Sequence, residues 1–289
     1  MLILIETIKI GNDTLKTVRL SILKVIISIA LLLIIGALVE PAGAQDLDLS
    51  MVKVKISTKK NTILGIGAGV YPDYEGSEEF TGFPLLQARY NWDNGCYANL
   101  LGAGIRANIV PSCAFEFGPM VVYRPERDSV EEKQVDKLKK VDAATEVGAF
   151  ASWSINKFML LLQAHADVSG THNGYLIDAG AAYRIPLERK MQLILVALAS
   201  YASDDYMDTY FSIDKKNAEL SELPKHKADA GIKDVGLVAV LQYKLSNDWG
   251  LLGLLKYSRL VGDASDSPIV DDIGDANQLM TGLLVNYSF

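Results

Sequence analysis

The chain has 289 residues, 28 basic against 35 acidic side chains, a net charge of −7 and 49% apolar residues. A negative balance of this size lacks the electrostatic footprint of a nucleic-acid binder. Cys96 and Cys113 have no metal-type spacing. In an oxidising compartment they are either one disulfide or two small apolar wall residues, and a turn near residues 109–112 speaks against the bridge.

Residues 25–39 form an apolar run of 15, preceded by Lys9, Lys16, Arg19 and Lys24 and followed by Ala42-Gly43-Ala44. A basic start, a short apolar stretch and a small-residue site are the pattern of a secretory signal peptide, here residues 1–44 with cleavage after Ala44. A retained inner-membrane anchor is the alternative, but a spanning helix needs about 20 residues. The 24 residues ahead of the run are long for a basic region and point to a start downstream of Met1. Residues 45–60 are then a periplasmic lead-in or a first strand, and 61–289 a barrel. After residue 39 no apolar run is long enough for a membrane helix, so any span in the remainder is made of strands.

Period-two segments separated by polar, Gly- or Pro-containing stretches fall at 62–71, 82–92, 95–106, 113–124, 145–155, 157–169, 174–185, 190–201, 233–246, 248–260 and 278–289. In 157–169, Phe158, Leu160, Leu162, Ala164, Ala166 and Val168 oppose Gln163, His165, Asp167 and Ser169. The same alternation sets Tyr175, Ile177, Ala179, Ala181 and Tyr183 against Asp178 and Arg184, and Val235, Leu237, Ala239, Leu241 and Tyr243 against Asp234, Gln242 and Lys244. Short links at 154–157 and 246–249 suit tight turns, and 202–232 suits a long loop. The charge-dense stretch 126–142 reads as a solvated loop, with Val135, Leu138 and Val141 spaced for one or two helical turns at most.

A soluble sandwich also alternates, so aromatic placement decides. Tyr90, Trp92, Tyr123, Trp153, Tyr183, Tyr201, Trp249, Tyr257 and Tyr287 lie near the ends of apolar faces, as in interfacial girdles. The opposite faces collect Arg89, Glu116, Arg124, Glu146, Asp167, Asp178, Arg184, Asp234, Lys244 and Lys256, mixed charges that would pair and fill a small lumen. The chain ends with Leu279, Thr281, Leu283, Val285, Tyr287 and Phe289 alternating against Met280, Gly282, Leu284, Asn286 and Ser288. This resembles the closing strand of bacterial outer-membrane barrels, in which a terminal aromatic such as Phe289, with Tyr287, is an assembly signal for the barrel assembly machinery. Eleven strands are legible, whereas single-chain bacterial barrels have an even number. The expectation is an all-β antiparallel transmembrane barrel of 12 strands, with residues 51–56 as the twelfth; the alternative is ten, with 95–124 one bent unit.

Several local motifs carry a family resemblance. Gly65-Ile66-Gly67-Ala68-Gly69-Val70-Tyr71-Pro72-Asp73-Tyr74-Glu75-Gly76-Ser77 is followed by Phe83-Pro84-Leu85. Later come Ser203-Asp204-Asp205-Tyr206-Met207-Asp208-Thr209-Tyr210-Phe211, then Tyr257-Ser258-Arg259-Leu260 leading to Asp266-Ser267-Pro268-Ile269-Val270, and the closing Tyr287-Ser288-Phe289. In this order the motifs resemble those of the MipA/OmpV family of outer-membrane proteins. The resemblance implies a barrel in the cell outer membrane, in contact with its lipid, without a cofactor and without catalysis. It further implies a scaffold that binds a lytic transglycosylase and a bifunctional murein synthase and so serves peptidoglycan synthesis. Other members are associated with adhesion, osmotic or antibiotic responses. The family often has Gly and Val after the Phe of the aromatic-acidic motif, whereas here Ser212 and Ile213 follow, which puts a loop-specific partner in doubt.

Three clusters invite a chemical reading. The glycines at 65, 67 and 69 lead into Pro72-Asp73-Tyr74 rather than a helix, so they relieve crowding in a curved strand and do not cradle phosphate. His165, Asp167 and Ser169, with His172 and Asn173 nearby, motivate an outer-membrane lipid hydrolase as the alternative function, beside a passive channel or adhesin. No nucleophile elbow accompanies them, and hydrogen bonding in the lumen is the default. Asp204, Asp205 and Asp208, or Asp263, Asp266, Asp271 and Asp272, offer oxygen ligands to a hard cation but lack EF-hand spacing.

Overall fold

The computed structural model describes residues 60–289. The expected leader, residues 1–44, and the candidate strand at 51–56 lie outside the described residues. Twelve antiparallel strands run in chain order around a closed barrel. They are β1 Thr62–Pro72, β2 Phe80–Asn91, β3 Tyr97–Leu101, β4 Gly104–Asn108, β5 Phe115–Arg124, β6 Ala144–Ile155, β7 Phe158–Asp167, β8 Tyr175–Glu188, β9 Met191–Ala202, β10 Gly231–Lys244, β11 Trp249–Leu260 and β12 Asn277–Ser288.

Closure is made by β12 against β1, from Ile63 opposite Ser288 to Val70 opposite Thr281. At its end Phe289 and Thr62 exchange backbone hydrogen bonds of 3.0 and 3.2 Å. The expected number of strands is met, but from a different source. The segment read as one strand at 95–106 turns back at Gly102 and Ala103, giving the hairpin β3–β4 with Leu101 opposite Gly104. Gly102 takes a positive φ of 60° there, which glycine adopts at no steric cost. The described strands close the barrel among themselves.

The period-two pattern sorts side chains to two environments. Ile66, Phe117, Val147, Leu160, Leu162, Leu237, Leu255 and Leu283 project outward and are exposed, an apolar band that only lipid can cover. Aromatic residues rim it, with Trp249 against Tyr287 at 4.8 Å, Phe158 against Tyr183 at 4.6 Å and Tyr90 against Trp92 at 5.1 Å. These pairs lie at the end with short turns; Tyr123, Tyr175, Tyr201 and Tyr257 lie at the end with long loops, which in such barrels is extracellular.

The lumen differs from the sequence expectation of mixed charge. Leu85, Leu101, Leu161, Ile194, Val196, Val238, Val240, Leu252, Leu254, Met280 and Leu284 point inward and form one buried cluster. On β9 to β12 both faces are therefore largely apolar, and a strand buried on both sides cannot be assigned a face from periodicity. Charges gather instead near the extracellular end and, with Arg89, Glu116 and Tyr97, near the periplasmic end. Cys96 and Cys113 are unbridged. Both sit in periplasmic links rather than in the wall, so neither sequence reading of them holds.

Inward glycines permit the curvature. A Cβ on Gly67 would lie 1.9 Å from the Leu283 carbonyl oxygen, which is backbone and cannot yield. Gly67→Ala is therefore expected to lower sharply the fraction of barrel that migrates as the compact, heat-modifiable species in SDS gels. The neighbouring outward change Ala68→Val should leave that fraction unchanged, Ala68 being exposed on the lipid side.

Candidate functional site: the extracellular closure

The connections at the extracellular end carry four short helices, α1 Lys133–Asp136, α2 Asp204–Phe211, α3 Lys215–Ser221 and α4 Pro268–Asp271. Ser203 stands before α2, and Asp204 and Asp205 occupy its first turn, where negative charge suits the helix dipole. Asp214 caps α3 by accepting the Asn217 N–H at 2.7 Å. Pro268 starts α4, where its missing N–H costs nothing. Stretch 126–142 is not the solvated loop its charge suggests: Val130, Val135, Leu138 and Val141 are buried with Tyr74, Tyr206, Met207, Tyr210 and Phe211 in one apolar cluster over the mouth.

Three motif stretches far apart in sequence meet here. The Tyr206 hydroxyl donates to the Glu75 carboxylate at 3.0 Å. Ser267 donates its hydroxyl to the Phe211 carbonyl at 2.6 Å, and Gly76 donates its N–H to Gln278 Oε1 at 3.1 Å. Gly76 has φ of 101°, and a Cβ there would strike Val270 Cγ2 at 2.5 Å. Glycine is thus required twice over, by conformation and by contact. Asp73 accepts the Glu131 N–H at 3.0 Å and so ties the first loop to stretch 126–142.

Beneath the loops lies a layer of buried charge. Arg124 Nε donates to Glu146 at 3.0 Å and its guanidinium faces Glu75 at 3.6 Å. Glu146 also meets His165 Nδ1 at 2.8 Å and His172 Nε2 at 2.9 Å. His165 Nε2 reaches Asp178 at 3.1 Å, and Lys233 bridges Glu75 at 3.0 Å and Asp234 at 2.6 Å. The Arg124 guanidinium stands 5.0 Å from the Tyr206 ring centroid, while His172 packs edge-on to that ring at 5.1 Å. Such charges are tolerable out of water only because each is paired.

Sequence reasoning placed Arg124, Glu146, Asp178 and Asp234 on inward faces and quoted Glu75 within a motif, but it assigned them no joint role. It missed Lys233, which a bulge between Ile232 and Asp234 turns inward. Of the motif residues, Pro72, Asp73, Tyr74, Gly76, Tyr206, Tyr210, Phe211, Ser267 and Pro268 are buried in the closure, whereas Asp204, Asp205 and Asp266 are exposed. Tyr287 and Phe289 are at the opposite, periplasmic end, their rings stacked at 6.0 Å.

The alternative chemistries do not assemble. Both ring nitrogens of His165 are held by carboxylates, and Ser169 donates to Asp167 at 2.5 Å rather than to a histidine. Asp204 caps the Ala230 N–H, and Asp263 accepts that of Asp229. Among the described residues no group of acidic, His or Cys side chains converges as a metal site would.

Along the bore Gln87, Asn286, Leu252, Leu284, Glu146 and Gln278 are each at most 3% exposed. Fold and closure together define an outer-membrane β-barrel whose lumen is filled by its own side chains and capped by its own loops. The profile of the family described as MltA-interacting protein MipA matches residues 64–289, and the chain belongs to that family. Among curated proteins it is 28% identical over 157 residues to outer membrane protein Omp26La of Vibrio anguillarum. It is also 28% identical over 165 residues to OmpV of Vibrio cholerae serotype O1. Each match covers 54% of this chain and 58% of the relative, so the chain spans little more than half the length of those relatives. Solved structures it resembles include the COG4313 outer membrane channel of Pseudomonas putida F1 at 11% identity and TM-score 0.44, covering 82% of this chain and 100% of that one. The KdgM porin is matched at 9% identity and TM-score 0.40, over 78% and 99%.

Glu75→Ala would leave Arg124 and Lys233 short of a shared buried counter-charge, a loss of about 3–5 kcal/mol for breaking a buried pair. The expected result is faster trypsin cleavage at Lys215 and Lys216 in the loop that α2 anchors, with Glu75→Gln intermediate. Burial raises the Asp73 carboxyl above its ordinary 3.8, against the opposing effect of the Glu131 N–H. A raised value means that the fold favours the neutral form, so its contribution is full at acid pH and falls as pH rises through the raised range. Hydrogen exchange of the Glu131 amide should accelerate over that range beyond its intrinsic pH dependence, and Asp73→Asn should flatten this excess.

Proposed function

We propose that this protein is an outer-membrane scaffold for murein enzymes, binding a lytic transglycosylase of the MltA kind, and with it a bifunctional murein synthase, at its periplasmic face. The observation that carries the reading is the packed bore of the described residues: a barrel filled by its own side chains acts through its surfaces rather than by conduction. The family description, MltA-interacting protein, supports the choice of partner. The periplasmic face offers short, rigid turns with exposed Lys157, Arg189 and Lys190. Beside them Lys60 pairs with Asp248 at 2.7 Å and lies 5.5 Å from the Tyr287 ring centroid, pinning the chain where it enters the barrel.

Detergent-solubilised protein on beads is expected to capture a purified MltA-type transglycosylase, and the synthase through it. Joint reversal of Lys157, Arg189 and Lys190 to Glu should weaken capture about tenfold, equivalent to roughly 1.4 kcal/mol. Absence of capture of either enzyme would sink the scaffold reading. In planar bilayers the unmodified barrel should show no steady conductance; a stable open current would favour the channel reading instead.

A further inference from the structure

Ten of the twelve strands are 10 to 14 residues long, but β3 and β4 have five each. Their hairpin stops partway up the wall. On the extracellular side the last bonds joining it to its neighbours are Gly102 N–H to the Leu86 carbonyl and Tyr123 N–H to the Ala103 carbonyl, both 3.0 Å. Above them β2 continues through Leu85 to Phe80 along β1 alone.

The hydrogen-bond alternation fixes which backbone groups face the gap. The bonds Asn91 to Asn61 and Asp73 to Glu79 bracket the β1–β2 ladder, so odd-numbered residues of β2 bond to β1. Phe80, Gly82 and Pro84 therefore direct their backbone polar groups into the gap, where among the described residues no strand pairs with them. Pro84 has no N–H to offer there. Proline in a sheet belongs on an edge, and it also bars a further strand from joining that edge.

Around the gap Phe80 and Tyr123 are exposed on the lipid side, and a Cβ on Gly82 would meet only a carbonyl 3.9 Å away. The floor is Phe83 edge-on to Tyr71 at 5.1 Å, with Ala103 packed on the same apolar cluster. Hydrocarbon alone does not cover an open backbone edge. The occupant must present apolar chain to Phe80, Pro84 and Tyr123 and also hydrogen-bonding groups to Gly82 and Phe80.

We propose that this gap is a binding site for an outer-leaflet glycolipid of the lipid A type, whose amide-linked hydroxyacyl chains supply both. The acyl chain lies along Phe80, Pro84 and Tyr123, and an amide or hydroxyl pairs with the Gly82 N–H and carbonyl. The site is independent of the periplasmic scaffold reading.

The test is native mass spectrometry of the full barrel in detergent titrated with lipid A or with phosphatidylethanolamine of matched chain length. It is accompanied by residue-resolved hydrogen exchange on the unmodified protein. Lipid A is expected to bind about tenfold more tightly than phosphatidylethanolamine and to slow exchange of the Phe80 and Gly82 amides while leaving Thr81 and Phe83, already bonded to β1, unchanged. Lengthening β3 and β4 by two residues each, with Pro84→Val, should remove the preference. Equal binding of the two lipids, or unaltered exchange at Phe80 and Gly82, would overturn the proposal even if the lengthened variant does not fold.

Discussion

Backbone polar groups within a bilayer need hydrogen-bonding partners, and in a chain of strands the first and last strands find theirs by pairing with each other. The contact between β1 and β12 satisfies that requirement, and the remainder of the architecture follows from it. Closure forces sharp curvature, which explains why Gly67 stands where a Cβ would meet the Leu283 carbonyl. It also brings the chain end at Phe289 beside Thr62, so the terminal aromatic lies on the rim at the point where the two ends of the barrel chain join.

Closure creates an interior, and the interior has to be filled. This barrel uses two different fillings. The middle is apolar and packed, resembling the core of a soluble sandwich more than a channel, because inward Leu, Ile and Val from β9 to β12 face Leu85 and Leu101. The extracellular end is ionic, with Glu75 and Glu146 serving Arg124, Lys233, His165 and His172. A buried ion pair contributes little net stability, but removing one partner is costly. The charged layer meets the loops above it through Tyr206, whose hydroxyl donates to Glu75. The apolar loop cluster above supplies the adhesion that the ion pairs do not.

The β3–β4 hairpin is the exception to a uniform wall. Its short strands leave one edge of β2 without a ladder, and Pro84 fits that geometry because it has no N–H to waste. The Phe83-Pro84-Leu85 motif thus has a local structural role: Phe83 and Leu85 face the interior, while Pro84 marks the edge.

Much was legible in the sequence. Period-two alternation gave most strand positions to within a few residues, the aromatic rims gave the membrane, and the inward placement of Arg124, Glu146, His165 and Asp178 followed from parity alone. Parity failed where it carries no information. A strand apolar on both faces, such as β11, does not show which face is inside, and a glycine turn within 95–106 looks like a strand that continues. Charge density misled at 126–142, since Val130, Val135, Leu138 and Val141 are buried only because α2 and the first loop lie against them. The meeting of Glu75, Arg124, Glu146 and Tyr206 depends on closure bringing β1, β5, β6 and the loop after β9 to one end of the barrel. Local sequence determined most of the strands, the faces of those polar on one side, and the membrane, because those depend on neighbours two residues apart. Only the tertiary structure decided the filled bore, the capped mouth and the gap beside β2, because those depend on which distant strands the closed ladder sets side by side.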